Sequence, residues 1–268
     1  MNSLNNIKHL ILDMDGVLYC GNEPVPRLRE FFAFLRERET PFMLVTNNAT
    51  RTADERSKQL AGMGAEVFPS EILVSGQATA RYLRRDYPAG TRVHVFGMAA
   101  LKQALEEAGF VLADTDVEVV VVSVDRDLTY EKIKRAARLL RGGARFIATN
   151  LDPNIPSEEG LLPGSGAMVA MLAAASETRP TGVGKPEPIM YELAMTQMGA
   201  SPETTAAVGD RVATDIVGGK RAGIMTICVL TGASSRAEAE AGGADFIFDD
   251  IGHLLDAWRE AISRSRQS

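Results

Sequence analysis

The sequence is poor in the residues that build disulfide scaffolds and zinc sites. Only 2 cysteines occur in 268 residues, too few for a disulfide framework and typical of a reducing compartment. The 3 histidines lie far apart in the chain and show no zinc-ligand spacing. No apolar run approaches a bilayer-spanning length, and the N-terminus lacks a cationic segment followed by a long apolar stretch. We therefore expect a cytoplasmic protein without a membrane partner.

The sequence also has fewer basic than acidic residues. Lys and Arg number 29 against 35 Asp and Glu, which gives a net charge of −6. Because binding to nucleic-acid phosphates needs an excess of positive charge, we expect no nucleic-acid partner. A small anionic substrate fits this composition, since local positive charge is enough to hold it. The 45% hydrophobic content is that of a globular protein with a buried core, in one large or two modest domains.

Short apolar runs alternate with longer amphipathic stretches along the whole chain. Most runs are continuously apolar, as in parallel strands covered on both faces, and the alternation predicts a doubly wound α/β fold. The predicted strands are His9–Leu12, Phe42–Val45, Val93–Phe96, Val117–Val124, Phe146–Ala148, Ala206–Val208, Ile224–Leu230 and Phe246–Phe248. The predicted helices are Arg27–Arg38, Leu101–Ala108, Tyr130–Leu140, Ile189–Met198 and Ile251–Ile262.

So many strands indicate two α/β layers. The polar motifs described below lie near the N-terminus and again beyond residue 180, with a motif-free block between them. We expect a core of residues 1–78 and 182–268 and a second domain of residues 79–181. Small and turn-forming residues at Ser75–Gln77 and Arg179–Gly182 indicate hinges at the two borders.

Two carboxylates follow the first predicted strand. In open α/β sheets the ligand crevice lies outside the carboxyl ends of the strands, and alternation aims Asp13 and Asp15 to one side with Met14 turned away. Gly16 permits a sharp turn and close approach of backbone N–H groups to an anion. Such a pair can hold Mg²⁺, or supply a nucleophile and a proton donor. The alternative is a polar turn after a strand.

Polar groups follow the second predicted strand as well. Thr46 and Asn47 offer donors that can hold a phosphate oxygen. The alternative interpretation is an Asn-rich turn that leads into the next helix.

A lysine lies in the Gly- and Pro-bounded segment Gly182–Pro188. Lys185 stands immediately before a helix predicted to begin near Pro186, where an ammonium group and the helix N-terminus would attract an anion together. The segment is not a Walker A loop. The alternative is a solvated surface lysine.

Two further carboxylates follow a later strand. Asp210 stands at the strand end and Asp215 at the start of the next helix, and Mg²⁺ typically takes one or two protein carboxylates. The alternatives are a polar loop at Asp210 and a helix cap at Asp215.

Taken together, these motifs resemble those of the haloacid dehalogenase superfamily. Within it, the chain resembles the NagD-like phosphatases, which include 4-nitrophenylphosphatases. The resemblance is carried by Leu12–Leu18, Thr46–Asn48, Pro163–Ala167, Val183–Pro186 and Val208–Arg211 with Thr214–Ile216. It implies a Rossmann-like core with an α/β cap inserted between the second and third motifs.

The resemblance also implies roles for individual residues. Asp13 matches the nucleophile that forms an aspartyl-phosphate, and Asp15 matches the general acid/base. The groups that match phosphate binders are Thr46, Asn47 and Lys185, with Gly16 beside them. Mg²⁺ would be held by Asp13, Asp210 and the backbone carbonyl of Asp15, and Asp215 would support either the metal or Lys185 without coordinating the metal directly.

A second Thr-Asn pair, Thr149-Asn150, is an alternative for the phosphate-binding motif. We prefer Thr46, because its strand and helix follow the predicted nucleophile directly, and assign Thr149-Asn150 to the cap. In the family that loop meets the leaving group of the substrate, and we expect Asp152, Asn154 and Ile155 to do so here. An ordinary Pro-bounded turn is the alternative.

The resulting expectation is a Mg²⁺-dependent hydrolase of small phosphorylated metabolites. A phosphomutase differs only in which group accepts the phosphoryl group. A C–halogen dehalogenase would share the nucleophile without needing Asp15 or the metal. A non-enzymatic phospho-acceptor module is a further alternative, although such modules are about half this length, and a binding protein without turnover is another. A homodimer is expected from the cap-mediated dimers among relatives.

Overall fold

The computed structural model describes residues 3–157 and 160–265. Its strands are β1 His9–Leu12, β2 Tyr19–Cys20, β3 Glu23–Pro24, β4 Phe42–Thr46, β5 Ile72–Val74, β6 Arg92–Phe96, β7 Val111–Leu112, β8 Val119–Val122, β9 Arg145–Ala148, β10 Asn154–Ser157, β11 Gly160–Pro163, β12 Thr181–Gly182, β13 Thr205–Gly209, β14 Met225–Val229 and β15 Phe246–Phe248. Its helices are α1 Leu28–Glu37, α2 Ala53–Gly62, α3 Ser75–Leu83, α4 Ala99–Glu107, α5 Tyr130–Arg141, α6 Ser165–Ser176, α7 Ile189–Met198, α8 Val217–Arg221, α9 Arg236–Ala241 and α10 Ile251–Ser265.

The chain folds into two compact units. The first comprises the chain up to Thr46, Ala53–Leu73 and the chain from Lys185 onward. The second comprises Asn47–Thr52 and Val74–Gly184. The span of 79–181 expected for the second domain lies inside the longer of these two segments, and the short segment Asn47–Thr52 was not expected to belong with it.

The first unit is built on a six-stranded sheet. Its strand order is β15-β14-β13-β1-β4-β5, and β1 pairs in parallel with β13 on one side and with β4 on the other. Residues of β1, β4 and β13 are almost entirely buried, as the continuous apolar runs require. The central position of β1 places the segment that follows it between the ends of β4 and β13.

Aromatic side chains fill the helical layer of the first unit. Helix α1 buries Phe31, Phe32 and Phe34, and the ring of Phe34 packs edge-on against Trp258 of α10 with centroids 5.5 Å apart. Trp258 is fully buried. Packing of α1 on α10 anchors the last helix to the unit.

The second unit has its own sheet and core. The five-stranded sheet has the order β12-β9-β8-β6-β7, and all of its pairings are parallel. Helices α5 and α6 cover a cluster of buried side chains that includes Val120, Leu140, Phe146 and Leu172. An antiparallel hairpin, β10–β11, extends from this unit.

The structure confirms the predicted α/β class. Ser75–Gln77, predicted as a hinge, form the first turn of α3, and the chain passes from the first unit to the second beside them, between Leu73 and Val74. The helix predicted as Ile189–Met198 has those bounds, so it begins three residues after Pro186. The segment from Asn154, for which an ordinary turn was the alternative interpretation, begins the β10–β11 hairpin.

All eight predicted strands are present, some with ends shifted or shortened by one or two residues. Strand β5 and the short strands β7 and β12 were not predicted. Within residues 3–157 and 160–265, no helix combines the length and the apolar content that crossing a bilayer requires.

Candidate active site

Three strand ends of the first unit carry the polar residues singled out in the sequence. Asp13 directly follows β1, Thr46 ends β4, and Asp210 directly follows β13. These three parallel strands are neighbours in the sheet, so their carboxyl ends lie along one edge. The backbone N–H of Asp13 donates to the carbonyl of Val208 at 2.9 Å, which continues the β1–β13 pairing up to the carboxylate.

A buried lysine joins two of the carboxylates. The Nζ of Lys185 lies 2.7 Å from Oδ1 of Asp13 and 2.7 Å from Oδ1 of Asp215. The side chains of Lys185 and Asp215 are only 3% and 2% exposed, whereas that of Asp13 is 14% exposed. Lys185 is therefore not the solvated surface lysine of the alternative interpretation, and Asp13 is the most exposed member of the trio.

The pKa values of this trio are controlled by burial and by mutual contact. Burial alone would lower the pKa of Lys185, but the carboxylates of Asp13 and Asp215 hold it well above its usual value. Burial raises the pKa of Asp13, Lys185 opposes that shift, and Asp215 and Asp210 add to it. The ammonium group of Lys185 thus stays charged. One positive charge does not balance the three carboxyl groups of Asp13, Asp210 and Asp215.

Asp210 is held at its position by the loop that follows β14. Its Oδ2 accepts a hydrogen bond from the N–H of Ala233 at 2.7 Å, and its carbonyl accepts one from Ser234 at 3.0 Å. A Cβ at Gly232 would collide with the same Oδ2, so this close approach requires glycine. Burial, with the charge of Asp215, raises the pKa of Asp210 to about 6.

The donor set of this site suits a hard divalent cation. Oxygen atoms of Asp13, Asp210 and Asp215 all lie within 4.8 Å of one another. Asp215 already uses Oδ1 for Lys185 and accepts the N–H of Arg211 on Oδ2 at 3.1 Å. Three carboxylates share one ammonium group, and an additional cation held by oxygen ligands would balance them. Asp13 and Asp210 fit direct ligands, and Asp215 fits a supporting role.

The segment after β1 forms a tight turn that presents Asp15. Met14 is fully buried, whereas Asp15 is exposed. Gly16 has φ +81, and a Cβ there would lie 2.5 Å from Oδ2 of Asp210. Gly16 therefore serves both the left-handed turn and the approach of the turn to Asp210.

Thr46 and Asn47 are adjacent in the chain but belong to different units. Thr46 is buried at the end of β4. The side-chain amide of Asn47 donates to Oδ2 of Asp152 at 2.9 Å, within the second unit. The backbone carbonyl of Asn47 accepts hydrogen bonds from Oγ of Ser75 at 2.6 Å and from the side-chain amide of Asn150 at 2.7 Å.

These contacts locate the residues predicted for the cap loop. Asp152 faces Asn47 and also donates its backbone N–H to Oδ1 of Asn150 at 3.1 Å. Asn154 is exposed and Ile155 half-buried, both in β10. Thr149 and Asn150, the alternative Thr-Asn pair, are buried at the end of β9.

Several groups at the site were missed from the sequence. The hydroxyl of Tyr191, on α7, donates to the backbone carbonyl of Asp215 at 3.2 Å. The backbone N–H of Arg211 donates to the carboxylate of Asp215, and that of Ala233 donates to the carboxylate of Asp210. Asp215 lies inside a π-helical turn, Val212–Ile216, and does not cap the helix. The Thr231-Gly232 pair, which follows the predicted strand Ile224–Leu230, could have indicated a loop at Ala233 close to the site.

Comparison with known proteins identifies the family. Residues 10–111 match the model of the haloacid dehalogenase-like hydrolases, and residues 182–254 match a second, HAD-hydrolase-like model. An acid sugar phosphatase of Staphylococcus saprophyticus is 35% identical over 255 residues, which is 94% of this chain and 98% of that protein. This chain belongs to the haloacid dehalogenase-like hydrolases.

A second relative and three solved structures place the chain within the haloacid dehalogenase-like family. The 5'-nucleotidase YutF of Bacillus subtilis is 36% identical over 87% of this chain and 91% of its own length. A 4-nitrophenylphosphatase of Thermotoga maritima has a TM-score of 0.90 at 35% identity, covering 94% of this chain and 98% of that one. NagD from Escherichia coli has a TM-score of 0.86 at 35% identity, covering 91% and 97%.

The third structure is a glycerol phosphate phosphatase of Mycobacterium tuberculosis in complex with magnesium. It has a TM-score of 0.87 at 31% identity and covers 94% of this chain and 78% of its own. The predicted NagD-like branch is therefore confirmed, and the chain is a phosphatase of the haloacid dehalogenase family.

Proposed function

We propose that this phosphatase hydrolyses monoesters of small phosphorylated metabolites through a phosphoryl group carried on Asp13, with the help of Mg²⁺. The observation that supports this most strongly is the buried Lys185, 2.7 Å from both Asp13 and Asp215. A buried cation beside a partly exposed carboxylate provides the charge that lets an anionic nucleophile meet an anionic phosphoryl group.

Asp13 is proposed as the nucleophile. One of its carboxylate oxygens attacks phosphorus, the bond from phosphorus to the ester oxygen breaks, and the electron pair stays with the departing oxygen. A water molecule then attacks phosphorus of the aspartyl-phosphate, which releases inorganic phosphate and restores the carboxylate. Two displacements replace one difficult hydrolysis.

Asp15 is proposed as the general acid and base. It gives its proton to the departing oxygen in the first displacement and takes a proton from the attacking water in the second. Its exposure at the turn after β1 supports contact with both the leaving group and water. The burial of Met14 supports a fixed direction for the two flanking carboxylates.

The phosphoryl oxygens are proposed to contact Lys185, Thr46 and the backbone at Gly16. Asn47 follows Thr46 in the chain and is proposed to add an amide donor, with Asp152 as its neighbour. Mg²⁺ would be held by Asp13, Asp210 and the carbonyl of Asp15, and it would supply charge neutralisation at the phosphoryl group. Asp215 would keep Lys185 in place.

The substrate class is proposed from chemistry and from relatives. The relatives include proteins named acid sugar phosphatase and 5'-nucleotidase, so sugar phosphates and nucleoside monophosphates are the first metabolites to test. Asn154 and Ile155 are proposed to contribute to selection among them. A cytoplasmic location and a homodimer stay predictions from the sequence.

Hydrolysis of 4-nitrophenyl phosphate tests this proposal. The wild type is assayed with Mg²⁺ and with EDTA, and the Asp13→Asn variant is assayed with Mg²⁺. We expect many turnovers that stop with EDTA and in the variant. Asp249→Asn, which changes an exposed carboxylate paired with Arg236, is the matched control and should keep full activity.

Other outcomes would replace the proposal. Release of no more than one equivalent of nitrophenol would favour a phospho-acceptor module. Transfer of the phosphoryl group to an added sugar phosphate, without release of inorganic phosphate, would favour a mutase. Full activity in Asp13→Asn would exclude the mechanism.

A further inference from the structure

A buried arginine lies behind the turn that carries Asp15. Arg56, on α2, is only 3% exposed. Its Nη1 donates to the hydroxyl of Tyr19 at 3.0 Å and to Oε1 of Gln59 at 3.1 Å. Among the described residues it makes no ion pair, and its Nε is buried without a hydrogen-bond partner.

Such an arrangement is costly. Guanidinium cannot lose its proton in proteins, and a buried charge without a counter-charge is destabilising unless it is well hydrogen-bonded. A hydrocarbon side chain at position 56 would avoid this cost. The polar contact with Tyr19 therefore calls for a role other than packing.

Tyr19 connects this arginine to the turn. Its side chain is 1% exposed, and its backbone carbonyl accepts the N–H of Gly16 at 2.8 Å. Asp15 and Tyr19 form an isolated backbone bridge. Fixing the phenol ring of Tyr19 thus fixes the residue that closes the turn immediately around Asp15.

The turn is held from its other side by a separate contact. The hydroxyl of Thr231 donates to the carbonyl of Gly16 at 2.5 Å. The thiol of Cys20 donates to the carbonyl of Thr231 at 3.2 Å. Hydrogen bonds therefore hold both the N–H and the carbonyl of Gly16. The Arg56–Tyr19 contact connects this turn to α2.

We propose that Arg56 and Tyr19 are positioning residues that hold Asp15 at the distance from which it protonates the leaving group. This inference rests on the proposed function, because it assumes that Asp15 is the general acid. Displacement of a catalytic group by about 1 Å can cost a large part of its contribution. The loss should then grow with the basicity of the leaving oxygen, since a poor leaving group depends more on the acid.

The test uses three substrates with increasingly basic leaving groups: 4-nitrophenyl phosphate, phenyl phosphate and glycerol phosphate. The variants are Tyr19→Phe, which removes only the hydroxyl, and Arg56→Met, which removes the donors at similar length. We expect kcat/KM to fall less than about threefold for 4-nitrophenyl phosphate and about tenfold or more for glycerol phosphate. The Arg56→Lys variant keeps a donor and should recover part of the loss.

Two controls separate positioning from general damage. Tyr82→Phe removes the hydroxyl of another Tyr–Arg pair, 3.1 Å from Nη2 of Arg145, and should leave all three substrates unaffected. The double variant Tyr19→Phe/Arg56→Met should lose no more kcat/KM than the worse single variant, because both substitutions break the same contact. Thermal midpoints are measured for every protein, so a folding defect is recognised.

An equal loss on all three substrates, or a lower thermal midpoint with no kinetic change, would overturn the inference. Asp15→Asn is measured in the same series, so that failure of this inference can be told apart from failure of the proposed function. If Asp15→Asn shows no dependence on the leaving group, the general-acid assignment itself is wrong. If Asp15→Asn shows that dependence and Tyr19→Phe does not, only the positioning role is wrong.

Discussion

The ammonium group of Lys185 lies 2.7 Å from a carboxylate oxygen of Asp13. Lys185 is buried, so its charge is neutralised by protein groups more than by water. The ammonium group opposes the rise in the pKa of Asp13 that burial and the neighbouring acids Asp215 and Asp210 cause. It also makes the stability of the first unit depend on the presence of this cation.

Replacing Lys185 with methionine should destabilise the protein strongly. The change leaves the buried carboxylate of Asp215 and the partly buried carboxylate of Asp13 without their ammonium partner, and loss of one partner of a buried ion pair typically costs about 3–5 kcal/mol. Urea unfolding of the metal-free protein measures the loss. Lys220→Met is the matched control, because Lys220 is exposed and donates to the carbonyl of Gly242. Equal stability of the two variants would contradict the account.

Binding of Mg²⁺ should raise the thermal midpoint of the wild type. In the metal-free site the carboxylates of Asp13, Asp210 and Asp215 share the ammonium group of Lys185, and a ligand that binds only the folded state stabilises that state. The Asp210→Asn variant should lose most of this shift, whereas Asp249→Asn should keep it. The measurement is a thermal melt with and without Mg²⁺, which is independent of activity. An undiminished shift in Asp210→Asn would place the metal elsewhere.

The stability of the second unit should fall at acidic pH because of His94. Burial lowers the pKa of His94, although the carbonyl of Ala113 and the carboxylate of Asp114 oppose the shift. The unfolded chain therefore takes up the proton more readily than the folded one. The stabilising effect of a neutral His94 is complete above its unfolded value of 6.5 and is lost as the pH falls toward the lowered folded value.

Denaturant unfolding between pH 7.5 and pH 5 measures this effect, which cannot exceed about 1.4 kcal/mol per pH unit for one proton. His94→Gln should flatten the pH dependence. Leu128→Ala, at an exposed side chain of the same unit that carries no titratable group, is the control and should keep the wild-type slope. A slope that is unchanged in His94→Gln would assign the pH dependence to other groups.

Asn47 and Asp152 should be energetically coupled. Their side chains are joined by a hydrogen bond of 2.9 Å, and a hydrogen bond to a charged group contributes about 1.5–3 kcal/mol. Asn47→Ala, Asp152→Ala and the double variant form a cycle, with kcat/KM and unfolding free energy as the two readouts. Asp127→Ala, at an exposed carboxylate of the same unit, is the control. Additive effects in both readouts would show that the bond contributes nothing.

The α/β class and the placement of polar residues at the ends of three neighbouring strands could be predicted because they depend on local patterns. Continuous apolar runs mark buried strands, and Asp13, Thr46 and Asp210 each stand where such a run ends. The same reasoning failed at β5, which has only 3 residues, and at the β10–β11 hairpin, where Pro156 favoured a turn. Short elements are stabilised by their neighbours in space and leave little local signal.

Contacts between distant segments could not be predicted. Asn47 and Asp152 are 105 residues apart, and Tyr19 and Arg56 are 37 residues apart. No local periodicity links these pairs, because the fold alone brings them together. Arg56 in particular looks like any exposed charge on α2, and only its burial shows that it differs.

Trapping of the phosphoryl group tests the central claim most directly. The wild type is mixed with Mg²⁺ and a ³²P-labelled phosphomonoester, quenched in acid before the first turnover ends, and digested for peptide mapping. The account predicts label on the peptide and side chain of Asp13, formed at least as fast as product and absent in Asp13→Asn. Product release without label on Asp13, or label on another residue, would contradict it.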